Sequence, residues 1–250
     1  MKWVVFSGPT ITSAEVQRET DGAAIARGPV SCGDVFRAHE EGAQAILIID
    51  GYFEHRLAVW HKEILWALSR GVRMVGASSL GALRAVELEA YGMLGVGQVF
   101  EWFRDGTLED EDEVTIIHQS AEHGYRPVSD ALVNIRATLA SAVENGKLDA
   151  ASAASLIAIA KRQFYPSRSL RSLLAIGADT GLVADRDALA RWIETGMVDQ
   201  KRLDALAALR RLREEIEGAT STPVKPQFHF EYTEAWHELV QLLRRTQRSQ

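Results

Sequence analysis

Through the first half of the chain, short unbroken apolar runs alternate with stretches of helical periodicity. Trp3 to Phe6 is an apolar run that ends at Ser7-Gly8-Pro9-Thr10. Residues 45–49 (Ala-Ile-Leu-Ile-Ile) form a second, ending at Asp50-Gly51, and residues 72–77 a third, ending at Ser78-Ser79. Between and after them the pattern predicts helices over 33–41, 57–70 and 79–90. The middle one carries the stripe Leu57, Trp60, Ile64, Leu68, on which His61 also falls. Strands that are apolar throughout, separated by helices, imply a Rossmann-like parallel sheet covered on both faces. Ligands of such sheets bind outside the carboxyl ends of the strands. Gly8, Thr10, Asp50, Gly51 and the two serines all fall there.

From about residue 128 the pattern becomes almost wholly helical, with predicted segments over 129–144, 149–163, 167–176, 185–195, 201–217 and 232–245. Ser129, Asp149 and Asp199 stand where N-caps are expected. Leu203, Leu206, Leu209, Leu212 and Ile216 form a stripe that must pack on something, while Arg210, Arg211 and Arg213 read as a solvated edge. The chain divides on this reading into an α/β region, 1–125, and a helical region, 126–250. A glycine-rich bridge, 91–97, and five carboxylates, 109–113, precede the change. The carboxylates read as a solvated helix start. Residues 220–226 read as a linker.

Composition narrows the classes. Hydrophobic residues make up 46% and charged residues 25% of 250, as in an ordinary globular protein. The net charge of −6 argues against a nucleic-acid partner. It is unevenly spread: residues 1–125 hold 10 Lys+Arg against 19 Asp+Glu, and residues 126–250 hold 18 against 15. No apolar run reaches the roughly 18 residues of a membrane span, and the first run is too short for a signal-peptide core. Cys32 is the one cysteine, so neither a disulfide nor a cysteine-rich zinc site can form within the chain. A cytoplasmic protein without metal or cofactor is expected.

The candidate chemistry gathers at residues 76–81, Gly-Ala-Ser-Ser-Leu-Gly. A strand passing directly into a helix brings unpaired N–H groups and the positive dipole end to one corner, where an anion or oxyanion can bind. Ser79 has Ala77 two positions before and Gly81 two after, close to the G-x-S-x-G nucleophile pattern; Ser78, with Gly76 before it and Leu80 after, fits less well. Ser79 is therefore the candidate nucleophile, with helix N-capping and simple anion binding as the other two roles. His118, following Val114, Ile116 and Ile117, is the candidate general base because imidazole titrates near neutrality. His61 is a second candidate beside a packed-core reading. Arg84 is a candidate for an anionic substrate group, or an i,i+3 ion pair with Glu87. Asp50 can orient a base or bind a hydroxyl, or cap the next turn, and Glu54 leans toward the capping role. Cys32, beside a helix start, has a thiolate-favouring position, although a small buried cysteine is the simpler reading.

Taken in order, Gly8-Pro9-Thr10, Ile49-Asp50-Gly51-Tyr52-Phe53, the segment 58–65, the segment 76–88 with its serines and Arg84, Gly92-Met93-Leu94-Gly95-Val96-Gly97 and the acidic run through His118 resemble the TfuA-like family. The resemblance covers about residues 1–120, and no motif is matched in the helical remainder. It implies a partner of YcaO enzymes, which activate peptide amides with ATP, in the thioamidation of ribosomally made peptides. It further implies release or delivery of sulfide from a thiocarboxylated sulfur-carrier protein, with the precursor peptide engaged indirectly. Sulfide release from a thiocarboxylate is an acyl transfer, so a hydrolase site at Ser79 would suit it. A non-catalytic docking protein that activates the YcaO enzyme is the alternative. Leu80 stands where many relatives are expected to carry methionine, a volume-conserving exchange.

Overall fold

The structure is a computed structural model that describes residues 1–52, 57–218 and 228–247. Phe53, Glu54 and the segment 220–226 lie outside the described residues.

Five parallel strands form one sheet in the order β2-β1-β3-β4-β5: β1 (Trp3–Phe6), β2 (Ala24–Arg27), β3 (Ala45–Ile48), β4 (Arg73–Ala77) and β5 (Leu94–Val96). Strands β1 and β3 are buried along their full length, which is why their sequence is apolar without alternation. The chain starts at β1, goes outward to β2, then returns past β1 to β3. The order therefore reverses between β1 and β3, and the crevice of a doubly wound sheet opens there.

Two elements of this sheet are not among the predicted strands. Strand β2 is an edge strand with only Ala24 buried, so it lacks the apolar run of the others. Strand β5 is Leu-Gly-Val within the glycine-rich bridge. A Cβ at Gly95 would overlap the Phe100 ring, so the residue that weakens strand propensity is the one that lets the next helix close in.

Helices cover both faces. On one lie α1 (Ser13–Glu19) and the long α10 (Gln200–Gly218). On the other lie α2 (Asp34–Glu40), α3 (His61–Ser69), α4 (Leu80–Leu88), α5 (Gln98–Arg104) and α11 (Glu234–Gln247). Helix α1 was absent from the sequence pattern, yet Thr12 and Glu15 form a capping box that the T-x-x-E spacing encodes. Helices α6 (Leu132–Glu144), α7 (Ala150–Arg162), α8 (Leu170–Asp179) and α9 (Arg186–Gly196) build a separate apolar cluster around Ile135, Leu139, Leu156 and Leu173. Helices of the second region thus return to both faces of the sheet. Among the described residues, no helix is long and apolar enough to cross a membrane.

Capping follows the sequence at two of three expected places. Asp149 accepts from Ser152 N–H at 2.8 Å and Asp199 from Arg202 N–H at 3.1 Å. Ser129 does not cap: α6 begins three residues later, and the Ser129 hydroxyl accepts from Ile117 N–H at 2.9 Å. The acidic run also differs from a solvated helix start. Glu113 is fully buried, takes the N–H groups of Glu109 and Asp110, and meets Arg136 and Lys161. Asp112 pairs at 2.8 Å with the fully buried Arg168. These carboxylates join the sheet domain to α6 and α7, and among the described residues no group of side chains is arranged to hold a metal ion.

Candidate functional site

Strand β4 runs into α4 through Ser78 and Ser79, and two glycines make the corner possible. A Cβ on Gly76 would lie 2.0 Å from the Gly81 carbonyl oxygen, and one on Gly81 would lie 1.8 Å from that of Ile48. Helix α4 therefore presses directly onto the sheet backbone. The backbone strain of this corner sits on Ser78, whose φ is +71°. Its hydroxyl is buried and without a hydrogen-bond partner. Ser79, at φ −124° and ψ −126°, takes the N-cap position of α4 without making a side-chain cap bond. Neither serine hydroxyl bonds to the start of the helix, so the alternative role of side-chain N-cap is not filled.

The two serines differ in what they reach. Ser79 lines a cavity of about 460 Å³ at the carboxyl ends of the strands; Ser78 does not. Because Ser78 combines left-handed backbone with a buried, unbonded hydroxyl, Ser78→Gly is expected to remove both costs. A thermal melt should show Tm raised by about 2–4 °C, the shift that corresponds to roughly 1 kcal/mol in a chain of this size.

The cavity floor is the crevice at the strand-order reversal. Asp50, just after β3, is 2% exposed. Its carboxylate accepts from Gly8 N–H at 2.9 Å, Thr10 N–H at 3.0 Å and the Thr10 hydroxyl at 2.6 Å. It thereby ties the loop after β1 to the end of β3. Pro9, Asp50 and Gly51 line the cavity on this side. The segment from Val114 to Glu122 also lines the cavity and brings in His118. His118 bonds through Nδ1 to the Gln119 carbonyl at 2.8 Å and lies edge-on to Tyr125, with ring centroids 5.5 Å apart.

Lys201 closes the cavity from α10, and the sequence pattern did not single it out. Its side chain is buried, at 4% exposure, and its Nζ donates to the Val114 carbonyl at 2.8 Å. The Ser79 hydroxyl donates to the same carbonyl oxygen at 3.5 Å. Burial pushes the ammonium below the usual lysine range, and the charges of Asp50 and Asp199 oppose that shift. A signal was present in the sequence: Lys201 shares a helix face with Ala205, Ala208, Leu209 and Leu212, all buried against the sheet.

The remaining candidates lie elsewhere. His61, first residue of α3, is half-exposed and bonds through Nε2 to Glu87 at 2.7 Å; Arg84 reaches the same carboxylate oxygen at 2.5 Å. Both line a separate shallow recess and not the Ser79 cavity. Burial pushes the Glu87 carboxyl upward, but its bonds to His61 and Arg84 outweigh that and hold it below the ordinary range. Gly76 and Gly81 serve close packing, and the N–H groups of Ser79 and Gly81 are directed to Ala77 and Ile49 carbonyls. Gly8 packs beneath Pro29.

Cys32 is not a thiolate. Partial burial, then the neighbouring Glu63 charge, push its thiol up to about 12. Alkylation by iodoacetamide at pH 8 is expected to run more than 100-fold slower than for the urea-unfolded chain, followed by mass spectrometry. Any pH dependence from this group has one sign. The folded state favours the thiol, so its stabilising effect is complete below the unfolded value near 9 and fades as pH rises toward 12.

The family model described as TfuA-like protein matches residues 50–169, a stretch that includes Asp50, Ser79 and His118 and runs on into the helical region through α7. No curated protein matches the chain.

Proposed function

We propose, from the premise that the chain is TfuA-like across residues 50–169, that it serves a YcaO enzyme in peptide thioamidation by releasing sulfide from a thiocarboxylated carrier protein at Ser79. One observation carries this reading: the Ser79 hydroxyl, at the strand-to-helix corner, opens into a cavity that also holds His118 and Lys201. A nucleophile beside proton-exchanging groups in a partly water-excluded site is the equipment of acyl transfer. The carrier's extended carboxyl-terminal tail would enter over Tyr52 and Tyr125, and its thiocarboxylate carbon would meet Ser79. Attack gives a seryl ester and frees sulfide; water then returns the carrier as its carboxylate. His118, on the outer wall, exchanges protons with the entering water. His61 and Arg84, held by Glu87 in their own recess, suit recognition of the carrier or the YcaO partner. The test is sulfide release from purified carrier thiocarboxylate, compared between the natural chain and Ser79→Ala. Full stimulation of the YcaO enzyme by a variant that releases no excess sulfide would favour the docking role instead.

A further inference from the structure

Within that reading, we propose that the carrier's carboxyl-terminal tail binds as an added β-strand along the backbone of Ile116 and His118, which lays its last carbon at Ser79. A short hairpin builds the edge that receives it. The Ile117 carbonyl accepts from Val128 N–H at 2.8 Å, and Gln119 N–H donates to the Arg126 carbonyl at 2.9 Å. These bonds flank an antiparallel bridge between His118 and Pro127. His118 is therefore in a non-hydrogen-bonded pair, and its own N–H and C=O face away from the partner strand. Ile117 N–H turns the same way as its carbonyl, to the Ser129 hydroxyl at 2.9 Å, so the alternation carries back to Ile116. Among the described residues, neither Ile116 nor His118 makes a backbone-to-backbone bond.

That outer edge belongs to the cavity. Side chains of an extended segment alternate between its two faces, yet Ile116, Ile117, His118 and Gln119 all line the cavity, so the backbone edge contributes to the lining. The edge also has a fixed end. It leads back to Val114, whose carbonyl oxygen accepts from the Ser79 hydroxyl at 3.5 Å. A tail whose last carbon meets Ser79 therefore runs antiparallel to residues 114–118, with its earlier residues passing Ile116 and then His118. Roughly four tail residues span this edge, at about 3.3 Å each. An extended tail can use such an edge, whereas a helix, with its backbone groups already paired, cannot. Main-chain pairing fixes the direction and register of the tail and asks little of its side chains.

The full chain would be assayed for sulfide release from carrier thiocarboxylates assembled by ligation, each N-methylated at one of the four amides that precede the terminal residue's own. The methyl removes one donor and crowds the edge without touching the carbon that reacts. Only alternate tail residues face Ile116 and His118. The value of kcat/KM is therefore expected to fall about 10-fold or more at two alternate positions and to stay within about threefold at the positions between them. Any pattern that does not alternate, including an equal loss or no loss at all four positions, overturns the strand pairing and leaves the Ser79 reading standing. Undiminished release from the unmodified carrier by Ser79→Ala overturns the reading itself.

Discussion

Ser79→Ala is expected to reduce sulfide release from a thiocarboxylated carrier by at least about 10³-fold, equivalent to roughly 4 kcal/mol of lost barrier lowering. The size follows from the role: without the hydroxyl no seryl ester forms, and only water bound in the cavity can attack the carbon. Stability should hardly move. The hydroxyl makes one long bond, 3.5 Å to the Val114 carbonyl, and caps nothing. A melt within about 2 °C of the natural chain would therefore accompany the lost activity. That pairing separates a chemical role from a structural one, because a hydroxyl needed for the corner would show in both.

Gly81→Ala is expected to have the opposite signature, with the fold failing first. The added methyl would lie 1.8 Å from the Ile48 carbonyl oxygen, a backbone atom of the central strand β3 that cannot rotate aside. Relief requires lifting α4 from the sheet, which opens the packing of Leu80, Ala82 and Ala85 against the core. Overpacking of this kind against rigid backbone costs about 3 kcal/mol or more. In a chain of this length that lowers Tm by roughly 6–12 °C in a thermal melt. Activity would fall with it, since the displaced helix carries Ser79 out of line with Val114 and Lys201.

How much was legible beforehand depends on what kind of contact each residue makes. Strands β1, β3 and β4 announce themselves because both their faces are buried, and the functional crevice follows from the loops at their ends. The pairing of Asp50 with the loop of Gly8 and Thr10 is likewise a consequence of parallel order. Local period misled where an element began later than its apolar residues suggest. Helix α3 starts at His61, so Leu57, 72% exposed, and Trp60, 39% exposed, never join a stripe with Ile64. Most of the α10 stripe packs as its period suggests: Leu206, Leu209, Leu212 and Ile216 meet the sheet beside Ala205 and Ala208, whose small side chains let the helix approach, and Leu203 alone, 53% exposed, falls off that face. Lys201 lies one turn before those alanines. A cation on a buried face is a visible anomaly once the correct face is chosen, but its neighbour Val114 is 87 positions away in the chain and only the fold brings them together.

The comparison of the two serines also depends on three dimensions. The glycine spacing favoured Ser79, the left-handed backbone falls on Ser78, and the cavity decides for Ser79. The most direct measurement is acid-quenched intact-protein mass spectrometry of the chain mixed with a carrier thiocarboxylate in single turnover. The account predicts a transient covalent adduct equal to chain plus carrier less hydrogen sulfide, mapped by proteolysis to the peptide containing Ser79 and missing from Ser79→Ala. Sulfide released at the natural rate by Ser79→Ala, or an adduct mapped to another residue, would contradict it.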